Sequence, residues 1–124
     1  MSYDLAVWYP SQHLLDEEAL QKYYELCHEN ISGLEPHPAI EKFYLELSSI
    51  HPEIDDVPED KIEDFDFSPW SVAHDRSDRH IIMCCVWSRA EYVHEFVLKL
   101  ASKHGLAVFD PQLTKIHYPN DRSK

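Results

Sequence analysis

The chain is predicted to fold as one α+β domain, in which helices pack on an antiparallel or mixed sheet of four to five strands. Apolar runs typical of strands alternate along the sequence with segments whose apolar residues recur at helical spacing. A length of 124 residues with 44% hydrophobic content suffices for a single core, so residues 1–124 are assigned to one domain. The predicted order is β-α-α-β-β-α-β, with room for one more strand. A variant of the ferredoxin-like fold is therefore expected.

The N-terminal part carries a strand and a helix. Residues 3–9 form an apolar run rich in β-forming residues, which Pro10 closes. The next segment is expected to be a helix that begins at Asp16, a residue suited to the N-cap, and ends at Gly33. Its apolar residues recur three or four positions apart, which is the spacing of one helix face.

A second helix is predicted to begin at Pro38 and to stop before Pro52. Proline fits the first turn of a helix, and the residue that precedes a proline is driven out of helical geometry. Periodicity is then lost over residues 53–69, which we interpret as a long acidic loop with room for a short helical turn. These residues are called the acidic segment.

Two strands separated by a polar turn are predicted after the acidic segment. Residues 70–75 form the first strand, residues 76–79 the turn and residues 80–87 the second strand. The second run is apolar at successive positions, so it is expected to be a central strand that is covered on both faces.

The C-terminal part repeats helix and strand. Ser88 and Glu91 have the spacing of a capping box, which predicts the start of a helix that Gly105 ends. A short buried strand is expected at residues 106–109, and residues 113–118 provide a candidate edge strand.

The net charge of the chain favours some classes of binding partner over others. There are 11 basic and 23 acidic residues, which give a net charge of −12 with histidine neutral. Such a chain repels phosphate groups, so neither nucleic acid nor an anionic membrane surface is an expected partner. Residues 53–66 hold eight carboxylates and one lysine, a local charge of −7, which leaves −5 for the rest of the chain. Because the acidity is concentrated, a basic protein is the expected partner.

The acidic segment supplies the residues predicted to bind that partner. A run of charge is usually a solvated surface, but a loop of this length in a compact domain is often functional. Its apolar residues can anchor it to the domain or to a partner. The predicted partner-binding residues combine carboxylates with aromatic anchors: Asp55, Asp56, Glu59, Asp60, Glu63, Asp64, Asp66, Phe65, Phe67 and Trp70.

No catalytic, metal or cofactor motif is found in the sequence. The nine histidines lack metal-binding spacing, and a chain with two glycines has no phosphate-binding loop. Adjacent strand residues such as Cys84 and Cys85 make a poor disulfide, so the cysteines are interpreted as reduced core residues. We therefore expect no enzyme activity, cofactor or metal. The alternative is a small enzyme built on His74, Asp75 and one cysteine.

Four short stretches carry a resemblance that spans nearly the whole chain. They are YDLAVW at residues 3–8, SPW at 68–70, VWSRAE at 86–91 and FDPQ at 109–112. Together they resemble a group of small bacterial proteins of uncharacterised function. In size and charge the chain also resembles immunity proteins of contact-dependent growth inhibition and polymorphic toxin systems. That resemblance implies a stoichiometric inhibitor of a basic toxin domain, commonly a nuclease, and it transfers no catalytic residue.

Several properties of such an inhibitor stay open. An inhibitor that blocks the toxin's active site and one that binds at an exosite would both carry the same acidic surface, so the sequence leaves the mode of inhibition open. We expect a monomer or a weak homodimer. The alternative function is a self-associating adaptor or housekeeping protein, in which a second copy covers one face of strand 81–87. With no long apolar run and no signal peptide in the sequence, a cytoplasmic location is expected.

Overall fold

A computed structural model of the chain describes residues 2–119. The strands are β1 (Ser2–Trp8), β2 (Asp75–Arg76), β3 (His80–Val86), β4 (Ala107–Asp110) and β5 (Lys115–His117). The helices are α1 (Asp16–Cys27), α2 (Pro38–Ile50) and α3 (Ala90–Lys103). All strand pairs are antiparallel, in the order β2-β3-β1-β4-β5. The predicted α+β class and element order are confirmed, and the candidate edge strand is β5.

Helices cover both faces of the sheet. Successive residues of β1 point to opposite sides, so its apolar side chains contribute to a core on each face. Leu5 and Val7 join the core beneath α2 and α3, where Phe43 and Val97 are fully buried. Trp8 points to the other face, and α1 packs there. Strand β3 alternates in the same way, so its two apolar faces are both covered within the chain. The second copy that the self-association alternative invokes is not needed to cover either face.

Helix α1 differs from its prediction at both ends. It begins at Asp16, but Leu15 is the N-cap, and the Asp16 carboxylate instead accepts a hydrogen bond from the backbone N–H of Ile116 at 2.9 Å. The helix ends at Cys27 rather than near Gly33. Glu29 has a positive φ of 62°, a left-handed conformation that a continuing helix does not allow.

The capping box predicted at Ser88 and Glu91 was wrong. Trp87–Arg89 form a single 3₁₀ turn, and α3 begins at Ala90 with Arg89 as an N-cap that makes no side-chain capping bond. The indole of Trp87 packs edge-on against Tyr3, with 5.6 Å between the ring centroids. Trp87 and Arg89 thus contact residues distant in sequence, Arg89 by its ion pair with Asp66.

The strand predicted at residues 70–75 is also mostly absent. Trp70 forms one isolated bridge with Cys85, and regular pairing resumes only at Asp75–Arg76. Between them the backbone leaves the ladder, and His74 is buried with its ring edge-on to the Trp70 indole at 4.6 Å.

The Gln112 side chain joins the turn between β4 and β5 to the central strand β1. The Gln112 side chain accepts a hydrogen bond from Asp4 N–H at 2.7 Å and donates one to Asp4 O at 2.8 Å.

No helix within residues 2–119 has the length and apolar character needed to cross a bilayer.

Candidate protein-binding face

The acidic segment is closed at its base by hydrogen bonds to the domain. The Ser68 hydroxyl donates to Pro52 O at 2.7 Å, which joins the two ends of the segment. The Glu53 carboxylate accepts from the Tyr44 hydroxyl at 2.7 Å and from His74 N–H at 2.8 Å. Burial acts to raise the pKa of Glu53, but these hydrogen bonds outweigh it, so its pKa is lower than usual. Glu53 is therefore an ionised anchor.

A buried histidine connects the end of the segment to α3. His51 Nδ1 lies 3.0 Å from Phe67 O, and Nε2 lies 2.7 Å from the Tyr92 hydroxyl. A carbonyl oxygen only accepts, so Nδ1 carries the proton and Nε2 accepts from Tyr92. His51 O in turn accepts from the Trp70 indole N–H at 3.1 Å. The base of the segment is thus held by groups that the sequence analysis did not identify.

Within the segment the chain forms two short 3₁₀ turns, at Ile54–Asp56 and Glu59–Lys61. Its predicted carboxylates fall into two groups. The first group is exposed, and its carboxylates accept no hydrogen bond and form no ion pair with any residue in 2–119: Asp55, Asp56, Glu59, Asp60 and Glu63. These five are the unpaired carboxylates, and they are available to an external cation.

The second group of carboxylates is used within the domain. Asp64 Oδ1 accepts from Asp66 N–H at 3.1 Å and from Phe67 N–H at 3.3 Å, which shapes the end of the segment. Asp66 pairs with Arg89, whose Nη2 and Nε lie 2.9 and 3.0 Å from one carboxylate oxygen. Both side chains are partly or largely exposed, so the pair contributes little to stability. It does tie the segment to the start of α3.

The three predicted aromatic anchors have different environments. Phe65 is half-buried and lines an open cleft, so it is accessible to a partner. Phe67 is half-buried, with Lys61 Nζ 6.0 Å from its ring centroid. Trp70 is only 1% exposed, so its prediction as a partner-binding anchor was wrong. Its indole fills the core beneath α2 and α3, a position that sequence proximity to the acidic segment did not reveal.

The cleft beside the acidic segment has a volume of about 880 Å³. We call it the Phe65 cleft, and it is lined by His51, Phe65, Asp66, Ser88, Arg89, Glu91, Tyr92 and Glu95. Tyr92 is 47% exposed, so it adds a large aromatic surface next to carboxylates. The sequence analysis did not include the α3 residues of this cleft among its candidates. Helical periodicity offered a signal, because these residues lie opposite the apolar stripe that Val93 and Val97 form.

Burial governs the environment of the histidine and of the strand cysteines on which the alternative enzyme would be built. Burial, followed by the nearby Asp4 carboxylate, raises the pKa of Cys84 and Cys85 to about 12, so neither is a thiolate near neutral pH. His74 packs against Trp70, and its ring nitrogens have no hydrogen-bond partner among the described residues. Cys27 is exposed, which corrects its interpretation as a core residue.

Residues 2–119 contain no group of three or more histidine, cysteine or acidic side chains arranged to hold a metal ion. No protein-family model, curated protein or solved structure matches this chain. The interpretation of the face therefore depends on its own charge and geometry.

Proposed function

We propose that this protein is a cytoplasmic immunity protein that binds and neutralises a basic toxin domain of a bacterial contact-dependent growth inhibition or polymorphic toxin system. A nuclease domain is the expected toxin. The observation that carries the proposal is the group of five unpaired carboxylates, on a segment whose base is fixed to the domain beside the aromatic Phe65 cleft. Fixed negative charge accelerates encounter with a cation, and an adjacent aromatic surface supplies contact area after encounter.

The chemistry of a nuclease suits this face. A nuclease active site is cationic because it holds phosphate groups, so carboxylates can occupy the positions of the substrate's anionic groups. Speed of association also matters, since an inhibitor must bind before the toxin acts. Attraction between exposed charges raises the association rate at low salt by a factor of 10 to 1,000 as an order of magnitude.

The first experiment is affinity capture of partners from the native bacterium. Tagged protein is incubated with lysate, the bound material is washed at low and then at high salt, and released proteins are identified by mass. We expect a basic C-terminal fragment of a large exported protein that salt releases. Capture of the same chain only would instead favour the self-associating adaptor.

A charge-matched pair of variants tests the face itself. The triple variant Asp55→Asn, Asp56→Asn, Asp60→Asn removes three unpaired carboxylates from the acidic segment. Its control neutralises three exposed carboxylates elsewhere, as Glu17→Gln, Glu29→Gln, Glu35→Gln, so that net charge changes equally. We expect association with the captured toxin to slow about tenfold or more at low salt in the first variant only. Equal slowing in both variants would mean that net charge, and not this face, governs binding.

A further inference from the structure

Three of the sequence stretches described above meet at a second cleft, which shares Glu91 and Glu95 with the Phe65 cleft and is otherwise lined by different residues. Its volume is about 490 Å³, and it is lined by Tyr3, Ala90, Glu91, His94, Glu95 and Leu113. We call it the His94 cleft. Tyr3 comes from the YDLAVW stretch, and Glu91 ends the VWSRAE stretch. Asp110, from the FDPQ stretch, lies directly behind Tyr3.

A chain of hydrogen bonds fixes the histidine in this cleft. The Tyr3 hydroxyl lies 2.7 Å from Asp110 Oδ2 and 2.7 Å from His94 Nδ1. Asp110 is fully buried, and its carboxylate also accepts hydrogen bonds from the Gln112 backbone and side chain, so it takes the Tyr3 proton. A hydroxyl has one proton, hence His94 Nδ1–H donates to Tyr3. His94 Nε2 is left as an acceptor, on a ring whose side chain is 24% exposed.

We propose that the His94 cleft binds the guanidinium group of an arginine side chain from the partner protein. This inference depends on the proposed function for the identity of the partner, and it names one residue type of that partner. The exposed Glu91 carboxylate, which lines the cleft, disfavours an anion. An Nε2 acceptor and the Glu91 carboxylate in the same cleft favour a ligand with several N–H donors and a positive charge.

The cleft's other walls favour arginine over lysine. Ala90 and Leu113 are apolar, and Leu113 is 69% exposed, so they can receive the aliphatic stem of a long cationic side chain. Trp87 packs on Tyr3 beside the cleft and is 47% exposed, which offers an indole surface. A planar guanidinium stacks on aromatic rings and donates in a fork, whereas an ammonium group is a compact, strongly hydrated charge.

The experiment is an NMR titration of the full chain with Nα-acetyl-arginine methylamide, followed at the His94 imidazole. The neutral isostere Nα-acetyl-citrulline methylamide and the corresponding lysine compound are the comparison probes. We expect saturable shifts of the His94 ring signals with the arginine probe, and binding at least threefold weaker for the other two. Equal binding of citrulline or of lysine, or no shift at His94, would overturn the assignment.

Two variants locate the site. Glu91→Gln removes a rim charge from an exposed residue and is expected to weaken arginine binding about three- to tenfold. The control Glu17→Gln removes an exposed charge on α1, across the sheet, and is expected to leave binding unchanged. Equal effects of both variants would reject the site. The titration contains no toxin, so its failure leaves the capture result standing, and failure of capture leaves the titration interpretable.

Discussion

Replacement of His51 by leucine tests how the acidic segment is held. His51 is buried, and its ring connects Phe67 at the end of the segment to Tyr92 on α3. Leucine keeps an apolar side chain next to Trp70 and Phe96 but removes both hydrogen bonds. The prediction is that the domain stays folded while the segment loses its connection to α3.

The magnitude follows from the two lost bonds. Each intramolecular hydrogen bond contributes about 0.5–1.5 kcal/mol net, so His51→Leu is expected to lower the free energy of unfolding by about 2 kcal/mol. For a domain of this size, that corresponds to a fall in Tm of about 8 °C. Tyr92→Phe removes one of the two bonds and leaves a ring that is about half exposed, so its expected cost is about 1 kcal/mol.

The assay is a double-mutant cycle by urea denaturation, combined with amide hydrogen exchange. Because one bond is shared, the double variant should cost about 1 kcal/mol less than the sum of the single variants. Exchange should accelerate in residues 64–68 more than in β3. Additive costs would refute the hydrogen bond between His51 and Tyr92, and unchanged exchange in the segment would refute its role as a connection.

Other predictions concern buried groups. Burial lowers the pKa of His74, with Glu53 opposing in part, so the unfolded chain binds more protons and stability falls as pH drops below about 6.5. His74→Phe should reduce the loss of unfolding free energy between pH 7 and 5.5, as measured by urea denaturation. An unchanged dependence on pH would contradict this. Part of the dependence should remain in the variant, because burial also lowers the pKa of His80. In the native protein near pH 8, a thiol reagent should modify only the exposed Cys27, and the strand thiols only after unfolding; fast reaction of more than one thiol would count against their burial. Asp110→Asn should cost about 2–4 kcal/mol, because an amide cannot accept from all the donors around that buried site; a cost below about 1 kcal/mol in denaturation would disprove this.

Local signals predicted those elements whose causes are local. Helix α2 was predicted at both ends, because Pro38 fixes its first turn and Pro52 prevents its extension. Strand β3 was predicted because its long apolar run needs cover on two sides. The start of α3 was not, because Trp87 and Arg89 contact residues far away in sequence.

The candidate face was only partly predictable for the same reason. Charge density located the acidic segment, but it gave no means of separating the unpaired carboxylates from Asp64 and Asp66, which bind groups of the domain itself. Trp70 was misassigned because it directly follows the acidic segment in sequence, whereas in space it packs among core residues. The His94 cleft combines residues of α3 and Leu113 with Tyr3, a juxtaposition that only the pairing of distant strands creates.

The central position of β1 has a consequence for how the protein is made. Its two neighbours in the sheet, β3 and β4, begin only at His80 and Ala107. During synthesis β1 therefore has no strand to pair with until most of the chain has been made. Pairing between strands that lie far apart in sequence slows folding, and it prolongs the exposure of an apolar segment that is prone to aggregation. A protein with this order of strands is expected to depend on chaperones at the ribosome more than a helical bundle of equal length does.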